Sequence, residues 1–370
     1  MYLIDRRILT HFDFVLLGLI IPFMLLSYYL ISDVNPILAK KQLLYYFIGL
    51  GAFLATFLLP IREYKWLIPA IYWFMIALLL SVDLFGVSRL GAKRWLEIPF
   101  THLTIQPSEI FKPAFILMLA FLIQNNPPPK EGYGWRDFAK ISFYILLPFF
   151  LIAKEPDLGT ALVLLIIGYG VLFVVGVNWK IWATLALLIA FLVPLSYKYL
   201  LHDYQKKRIQ DFLSEKPSYH VQQSIIAIGS GGLWGKPKED ATQTRLKFLP
   251  IATSDFIFAY YIERFGFIGA LLLVGLYALL ILHLFGIYFK LKGDYFTQVV
   301  AVGIALLIFT YMSVNIAMTI GLAPVVGVPL PLFSHGGSSF VNFMILFGLL
   351  EHLLAFRYRF LYNSSHIHGL

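Results

Sequence analysis

Residues Lys247–Gly266 read KFLPIATSDFIFAYYIERFG. A basic, proline-containing loop here gives way to an apolar run that continues to Phe289. Glu263 and Arg264 are its only formally charged members. About 20 residues cross the hydrocarbon of a bilayer, so the run is too long for one span. A short helix from Phe256, bent before Gly266, is expected to lead into the span proper. Asp255 stands at the entrance. A carboxylate beside hydrocarbon is costly and marks function by default. The plainer alternative is that it caps the short helix.

Outward from this stretch the same pattern recurs. The 370 residues are 59% hydrophobic and 13% charged, a balance that excludes a soluble globular domain. Apolar runs of span length follow one another from end to end. They predict an all-α polytopic membrane protein, a single integral membrane domain over residues 1–370. About ten transmembrane helices are expected, near 14–31, 43–59, 66–85, 107–123, 141–153, 160–177, 181–200, 265–289, 296–320 and 340–356. An even number puts both termini on one side. The N-terminal stretch lacks a small-residue cleavage site, so the first apolar run is read as a retained span. Without cysteine there is no disulfide, thiol catalysis or cysteine metal site. A net charge of +9 suits a neighbour of anionic membrane lipids. No basic soluble domain is present, so no nucleic-acid partner is expected.

Twelve basic residues fall on the side of the termini and fifteen on the other, so the raw count does not orient the chain. Eight of the fifteen lie in one long loop, 202–247. Such a loop can be translocated despite its charge. With it set aside, twelve against seven predicts cytoplasmic termini. Residues 201–255 then form a long extracytoplasmic loop between spans seven and eight, leading to the expected active site. Its lysines and arginines read as a solvated, lipid-facing surface or as an electrostatic funnel for an anionic substrate.

Four segments on that outer side are dense in polar residues, glycine and proline. In 91–112, GAKRWLEIPFTHLTIQPSEIFK, Pro107 suits the first turn of a helix with Gln106 as its cap. Glu109 and Lys112 are three apart and share a face, as a structural ion pair or as substrate contacts. Arg94 reads as a phosphate holder or a headgroup contact. In Lys154–Thr160, KEPDLGT, Asp157 reads as a cap or a site residue beside Lys154. In 219–236, YHVQQSIIAIGSGGLWGK, Gly229, Gly231, Gly232 and Gly235 permit tight backbone. Their N–H groups are candidates for an anion nest, with Lys236, Lys238, Arg245 and Lys247 nearby, or the stretch is a mobile loop. In 321–339, GLAPVVGVPLPLFSHGGSS, prolines and glycines exclude a helix and leave an ordered loop or re-entrant hairpin. Ser334, His335, Ser338 and Ser339 offer donors there. No HExxH, phosphate-binding or dinucleotide glycine motif occurs.

Together these segments resemble the SEDS family of shape, elongation, division and sporulation proteins over nearly the whole chain. GLWGK at 232–236, TQTRLKFLP at 242–250 and PVVGVPLPLFSHGGSS at 324–339 favour its elongation branch over the division branch. The resemblance implies ten spans in the bacterial cytoplasmic (inner) membrane, with the active site facing the periplasm or cell exterior. It implies a peptidoglycan glycosyltransferase that polymerises lipid II during cell elongation and releases undecaprenyl diphosphate. It also implies a class B penicillin-binding protein, a transpeptidase, as partner. The family's essential aspartate falls on Asp255. Its arginine-tryptophan and QPSE..K elements fall on Arg94-Trp95 and 106–112, its PDLGT element on 156–160, and its QS...GSGG element on Gln223, Ser224 and 229–232. The chain departs at Ile251, where an acid is usual, at Glu155 for glutamine, at His335 for tyrosine and at Ala323.

Asp255 is thus the expected general base. Arg94, Glu109, Lys112, Lys154, Asp157, Gln223, Ser224, Lys236, Lys247, Ser334 and Ser338 are the expected substrate-binding residues. No cofactor is fixed by the residues, and a divalent cation, Mg2+ or Mn2+, is the one candidate. The alternative function is a lipid-linked precursor transporter (flippase), with Glu109, Lys112, Ser313, Asn315 and Thr319 along a path. A third is a scaffold that only recruits a synthase.

Overall fold

The computed structural model describes residues 10–89, 92–97, 104–155, 157–199, 218–246, 248–249 and 252–357, with positions 206 and 210. Much of the long loop, Pro156, Lys247 and Ile251 lie outside the described residues. The chain is a bundle of long helices. They are α1 (Phe14–Val34), α2 (Pro36–Leu58), α3 (Ile68–Phe85), α4 (Pro107–Asn125), α5 (Trp135–Lys154), α6 (Leu158–Val175) and α7 (Trp179–Tyr199). After the short α8 (Tyr219–Gly231) and α9 (Thr242–Arg245) come α10 (Ile257–Lys290), α11 (Tyr295–Thr319) and α12 (Gly337–Ala355). Among the described residues eight helices are long and apolar enough to cross a membrane. α5 and α7 are helices at the two remaining expected positions and fall short of that measure.

Helix boundaries follow local chemistry. α1 and α2 are separated by Asn35 alone. Its side chain accepts the N–H groups of Ile37 and Leu38, while Pro36 occupies the first turn. The span expected at 43–59 therefore begins earlier. The short fifth span extends to 135–154 because Phe138, Ile141, Ile145, Pro148 and Ile152 form a buried stripe at helical spacing. Between α3 and α4 lies a small antiparallel sheet, β1 (Val87–Arg89), β2 (Ala92–Glu97) and β3 (Thr104–Ile105), with β2 central. Strands this short leave no periodic signal.

The 34-residue α10 breaks where expected: Gly266 has φ 68° and ψ −168°. The break frees the N–H groups of the following turn. Phe267 donates to the Gly232 carbonyl at 2.9 Å and Ile268 to the Leu233 carbonyl at 3.2 Å. A side chain at Gly231, Gly235 or Gly266 would overlap the facing backbone. The glycine cluster is therefore a clamp on the broken helix: its carbonyls at 232 and 233 accept from the helix, and Lys236 N donates to the Glu263 carbonyl at 3.0 Å. The same contact explains the two charges in the apolar run. Glu263 is fully buried and accepts from Gln243 N at 3.0 Å, Thr244 N at 3.2 Å and Thr244 Oγ1 at 2.8 Å. Arg264 donates to the Lys236 carbonyl at 2.7 Å and to Asp33 Oδ2 at 3.1 Å.

Polar groups gather at the two ends of the bundle. At one end Asp13 N donates to Glu351 Oε2 at 3.1 Å, His283 meets Asp13 at 2.5 Å, and Arg62 pairs with Asp294. The start of α1 and the finish of α12 share this end. Asp33, Arg264, Lys238 and Asp255 stand at the other.

Candidate functional site

Asp255 lies in the turn 252–256 that precedes α10, half-buried. Burial pushes its carboxyl above the ordinary carboxylate range. The turn is tied on several sides. Asn315 Nδ2 on α11 donates to the Asp255 carbonyl at 2.9 Å. Ser334 Oγ donates to the Ser254 carbonyl at 2.7 Å, and His335 N to the Thr253 carbonyl at 2.8 Å. The last two partners belong to the proline-rich segment 321–336, an ordered loop as expected. That loop is itself anchored: Tyr277 OH donates to the Pro331 carbonyl at 2.5 Å and Ser27 Oγ to that of Phe333 at 2.6 Å. Gly327, at φ 71°, faces the carboxyl, and a methyl group there would stand 3.8 Å from Asp255 Oδ2.

The same loop reaches a second cluster. A methyl group at Gly159, in the first turn of α6, would meet the Val326 carbonyl at 3.2 Å. Beside it Asp157 Oδ1 accepts from Thr160 N at 3.3 Å, so Asp157 is a helix cap. It is more than that. Gln106 Nε2 donates to its Oδ2 at 2.9 Å, and Arg94, carried by β2, approaches Oδ1 at 3.7 Å. One turn into α4, Lys112 Nζ donates to Glu109 Oε1 at 2.5 Å and to the Tyr311 hydroxyl, 4.8 Å from that ring's centroid. Asn342 Nδ2 holds the Glu109 carbonyl at 2.9 Å. Tyr311 and Asn315 are four residues apart on α11, on one face. That face joins the Lys112 group to the Asp255 turn and closes a ring of contacts.

The other expected residues are placed differently. Lys112 is 2% exposed and paired, so it is buried within the ring's wall. Ser224 is buried and donates to the Thr319 carbonyl at 2.7 Å, which fastens α8 to α11. Gln223 is half-buried beside it. The Ser334 hydroxyl is engaged by backbone on both sides, accepting from Leu330 N at 2.8 Å. Ser338 is exposed at the start of α12. Lys154 is largely exposed and pairs with Asp83 at 2.7 Å. Lys236 lies in the clamp beneath the kink, and Lys247 lies outside the described residues. Asn315 and Thr319 do not line a passage: both are fully buried and donate to backbone carbonyls.

Several participants escaped the sequence reading. Glu155 is 3% exposed, and neither of its oxygens meets a donor among the described residues. Burial first, then Asp157 and Asp83, push it up to about 8 against the pull of Arg94. Gln106 serves as a partner of Asp157 and makes no cap bond. His220 on α8 stacks on Phe256, with centroids 6.2 Å apart. A helical stripe, Val221, Ser224, Ala227 and Gly231, was the available signal for α8. Among the described residues no group of three or more His, Asp or Glu side chains stands close enough to hold a metal ion. An apolar groove of about 460 Å³ runs beside the kink, lined by Leu26, Trp234, Tyr261, Phe265 and Leu272 among others.

Comparison with known proteins gives one consistent picture. Residues 5–359 match the FtsW/RodA/SpoVE family model, described as cell cycle protein. The chain is 58% identical over 363 residues to peptidoglycan glycosyltransferase MrdB of Helicobacter pylori, covering 98% of this chain and 95% of the relative. It is 40% identical over 299 residues to the protein of that name from Escherichia coli, covering 79% and 78%. A solved chain from a peptidoglycan synthase complex that coordinates polymerization and crosslinking superposes with TM-score 0.80 at 27% identity, covering 94% of this chain and 99% of that one. The rod shape determining protein RodA of Thermus thermophilus superposes with TM-score 0.70 at 26% identity, covering 94% and 98%.

Proposed function

The chain belongs to the FtsW, RodA and SpoVE family of cell-cycle proteins, the SEDS family, and from that premise we propose that it polymerises lipid II with Asp255 as general base. It is a multi-pass membrane protein and a peptidoglycan glycosyltransferase that serves cell shape. The observation that carries the mechanism is the Asp255 carboxyl, raised by burial, partly open, and fixed by ties to its backbone turn. A carboxylate in that state accepts a proton well and is held in place to do so.

The acceptor is the 4-hydroxyl of an N-acetylglucosamine. As Asp255 takes its proton, the oxygen attacks the anomeric carbon of the donor sugar. A new C–O bond forms on the face opposite the leaving group. The bond to undecaprenyl diphosphate breaks, and its electron pair leaves with the diphosphate. The α-linked donor becomes a β-linked product, and Asp255 returns its proton to water. Arg94, partly exposed beside Asp157, is the cation suited to the diphosphate. Lys112 acts through the shape of the wall, since its ammonium is engaged by Glu109 and Tyr311. The groove beside the kink suits a prenyl chain in chemistry and size. A divalent cation would have to be held jointly by protein carboxylates and diphosphate oxygens, and no step above depends on it.

In this reading the end bearing Asp255 faces the periplasm and the termini face the cytoplasm, in keeping with the count of basic residues outside the long loop. A class B penicillin-binding protein is the partner, in keeping with the synthase complex to which the fold is similar. The deciding experiment supplies labelled lipid II to the purified chain with its transpeptidase, with and without the Asp255→Asn change and a chelator. Glycan strands should form with the unaltered chain and not with the variant. Strands from both would overturn the reading.

A further inference from the structure

Asn315 has no exposed surface. Its amide nitrogen reaches two carbonyl oxygens, that of Asp255 at 2.9 Å and that of Val328 at 2.8 Å. An amide nitrogen carries two hydrogens, so each carbonyl receives one. Exchanging the amide's nitrogen and oxygen would set its oxygen against both carbonyls, so the surroundings fix this orientation. A buried amide without such partners would be costly. The two carbonyls belong to the two segments that face each other across the carboxyl. One is the turn that carries Asp255. The other is the loop whose Gly327 stands opposite Oδ2.

We propose that Asn315 is the positioning residue for the Asp255 carboxylate: its double tie sets the gap between the turn that carries the base and the wall that shields it. Asn315 is fully buried and acts through the backbone of Asp255. Ser334 and His335 hold the same turn at residues 254 and 253, so loss of the Asn315 tie leaves the turn attached and loosens it at residue 255. A misplacement of about 1 Å at a reacting group can cost about 10²-fold in rate. The inference rests on the reading of Asp255 as the base.

The test uses the full chain with its transpeptidase and labelled lipid II, across a range of pH. In Asn315→Leu, kcat should fall about tenfold to 10²-fold while KM stays within about twofold. The acid limb of the kcat profile should also move to lower pH, because a loosened carboxyl is less buried. Tyr72→Phe removes another buried hydrogen bond, 2.8 Å to the Tyr144 carbonyl, and should leave the acid limb in place. If Asn315→Leu does not accumulate, Asn315→Ser, too short to reach both carbonyls, carries the same expectation. Position-315 variants with the unaltered rate, or with a lower rate and an unmoved acid limb, would overturn the inference. An inactive Asp255→Asn beside them confines that failure to Asn315. An active Asp255→Asn defeats the base reading itself, and the positioning role with it.

Discussion

Buried carboxyl groups meet two different fates in this bundle. At the end shared by α1 and α12, Asp294 and Asp13 have strong partners, while Glu351 keeps Oε1 without a donor among the described residues. Burial works against ionisation of Asp294, but Arg62 and Thr297 outweigh it and hold the carboxyl below its usual range. Asp13 is likewise held down, against burial, by His283 and nearby N–H groups. At the other end burial alone sets the shift of Asp255, and burial dominates that of Glu155. A paired acid holds helices together. A buried acid whose neighbours do not offset its burial works against the fold and persists where chemistry needs it.

The largest effect that can break this contrast is on activity. Asp255→Asn should lower polymerisation by about 10²–10⁴-fold, the range of general base catalysis, while the protein accumulates normally. Strand synthesis read on a gel, against membrane protein level, checks this. The next effect is on stability at the opposite end. Arg62→Ala leaves Asp294 buried without its partner and should cost about 3–5 kcal/mol, read as a lower Tm in detergent with activity per folded molecule kept. Because the Asp294 carboxyl is held below its unfolded value, its contribution is complete above about pH 4 and fades as pH falls through the lower folded value.

Glu155 sharpens the contrast with the reverse sign. Its folded value is raised to about 8. Stability of the unaltered chain should therefore decline as pH rises from about 4 toward that value. Glu155→Gln, neutral throughout, should remove the decline, seen as a Tm that no longer falls over that window. An unchanged slope would mean the carboxyl is solvated or paired. The smallest effect concerns the clamp. Gly266→Ala forces a side chain into a left-handed turn facing the 233–235 backbone. It should cost about 1–2 kcal/mol or more, again read as Tm.

Most of the fold was legible because hydrocarbon imposes a simple demand: apolar runs of span length must be helices. The break at Gly266 was legible too, since the run from Phe256 exceeded one span. What escaped was whatever depends on pairing between distant segments. The clamp needed Gly231–Gly235 to meet Gly266, and nothing local says that their carbonyls would face the helix. The sheet strands were too short for any period. In the site, Asp255 stood out as a lone acid at the lip of an apolar run. Lys112 and Ser334 stood out equally by polarity, yet the fold engages both in wall contacts. Asn315 drew notice as a polar residue in a span and was assigned to a path, because its two carbonyl partners lie 60 and 13 residues away.

The central claim is that Asp255 must be ionised to take a proton from the acceptor sugar. Its most direct measurement is the rate of lipid II polymerisation by the purified chain and its transpeptidase, followed from about pH 4 upward. The rate should fall on the acid side through a value above the ordinary carboxylate range, and Asp255→Asn should stay about 10²-fold or more below the unaltered chain at every pH. Strands from Asp255→Asn with an unchanged profile would contradict it.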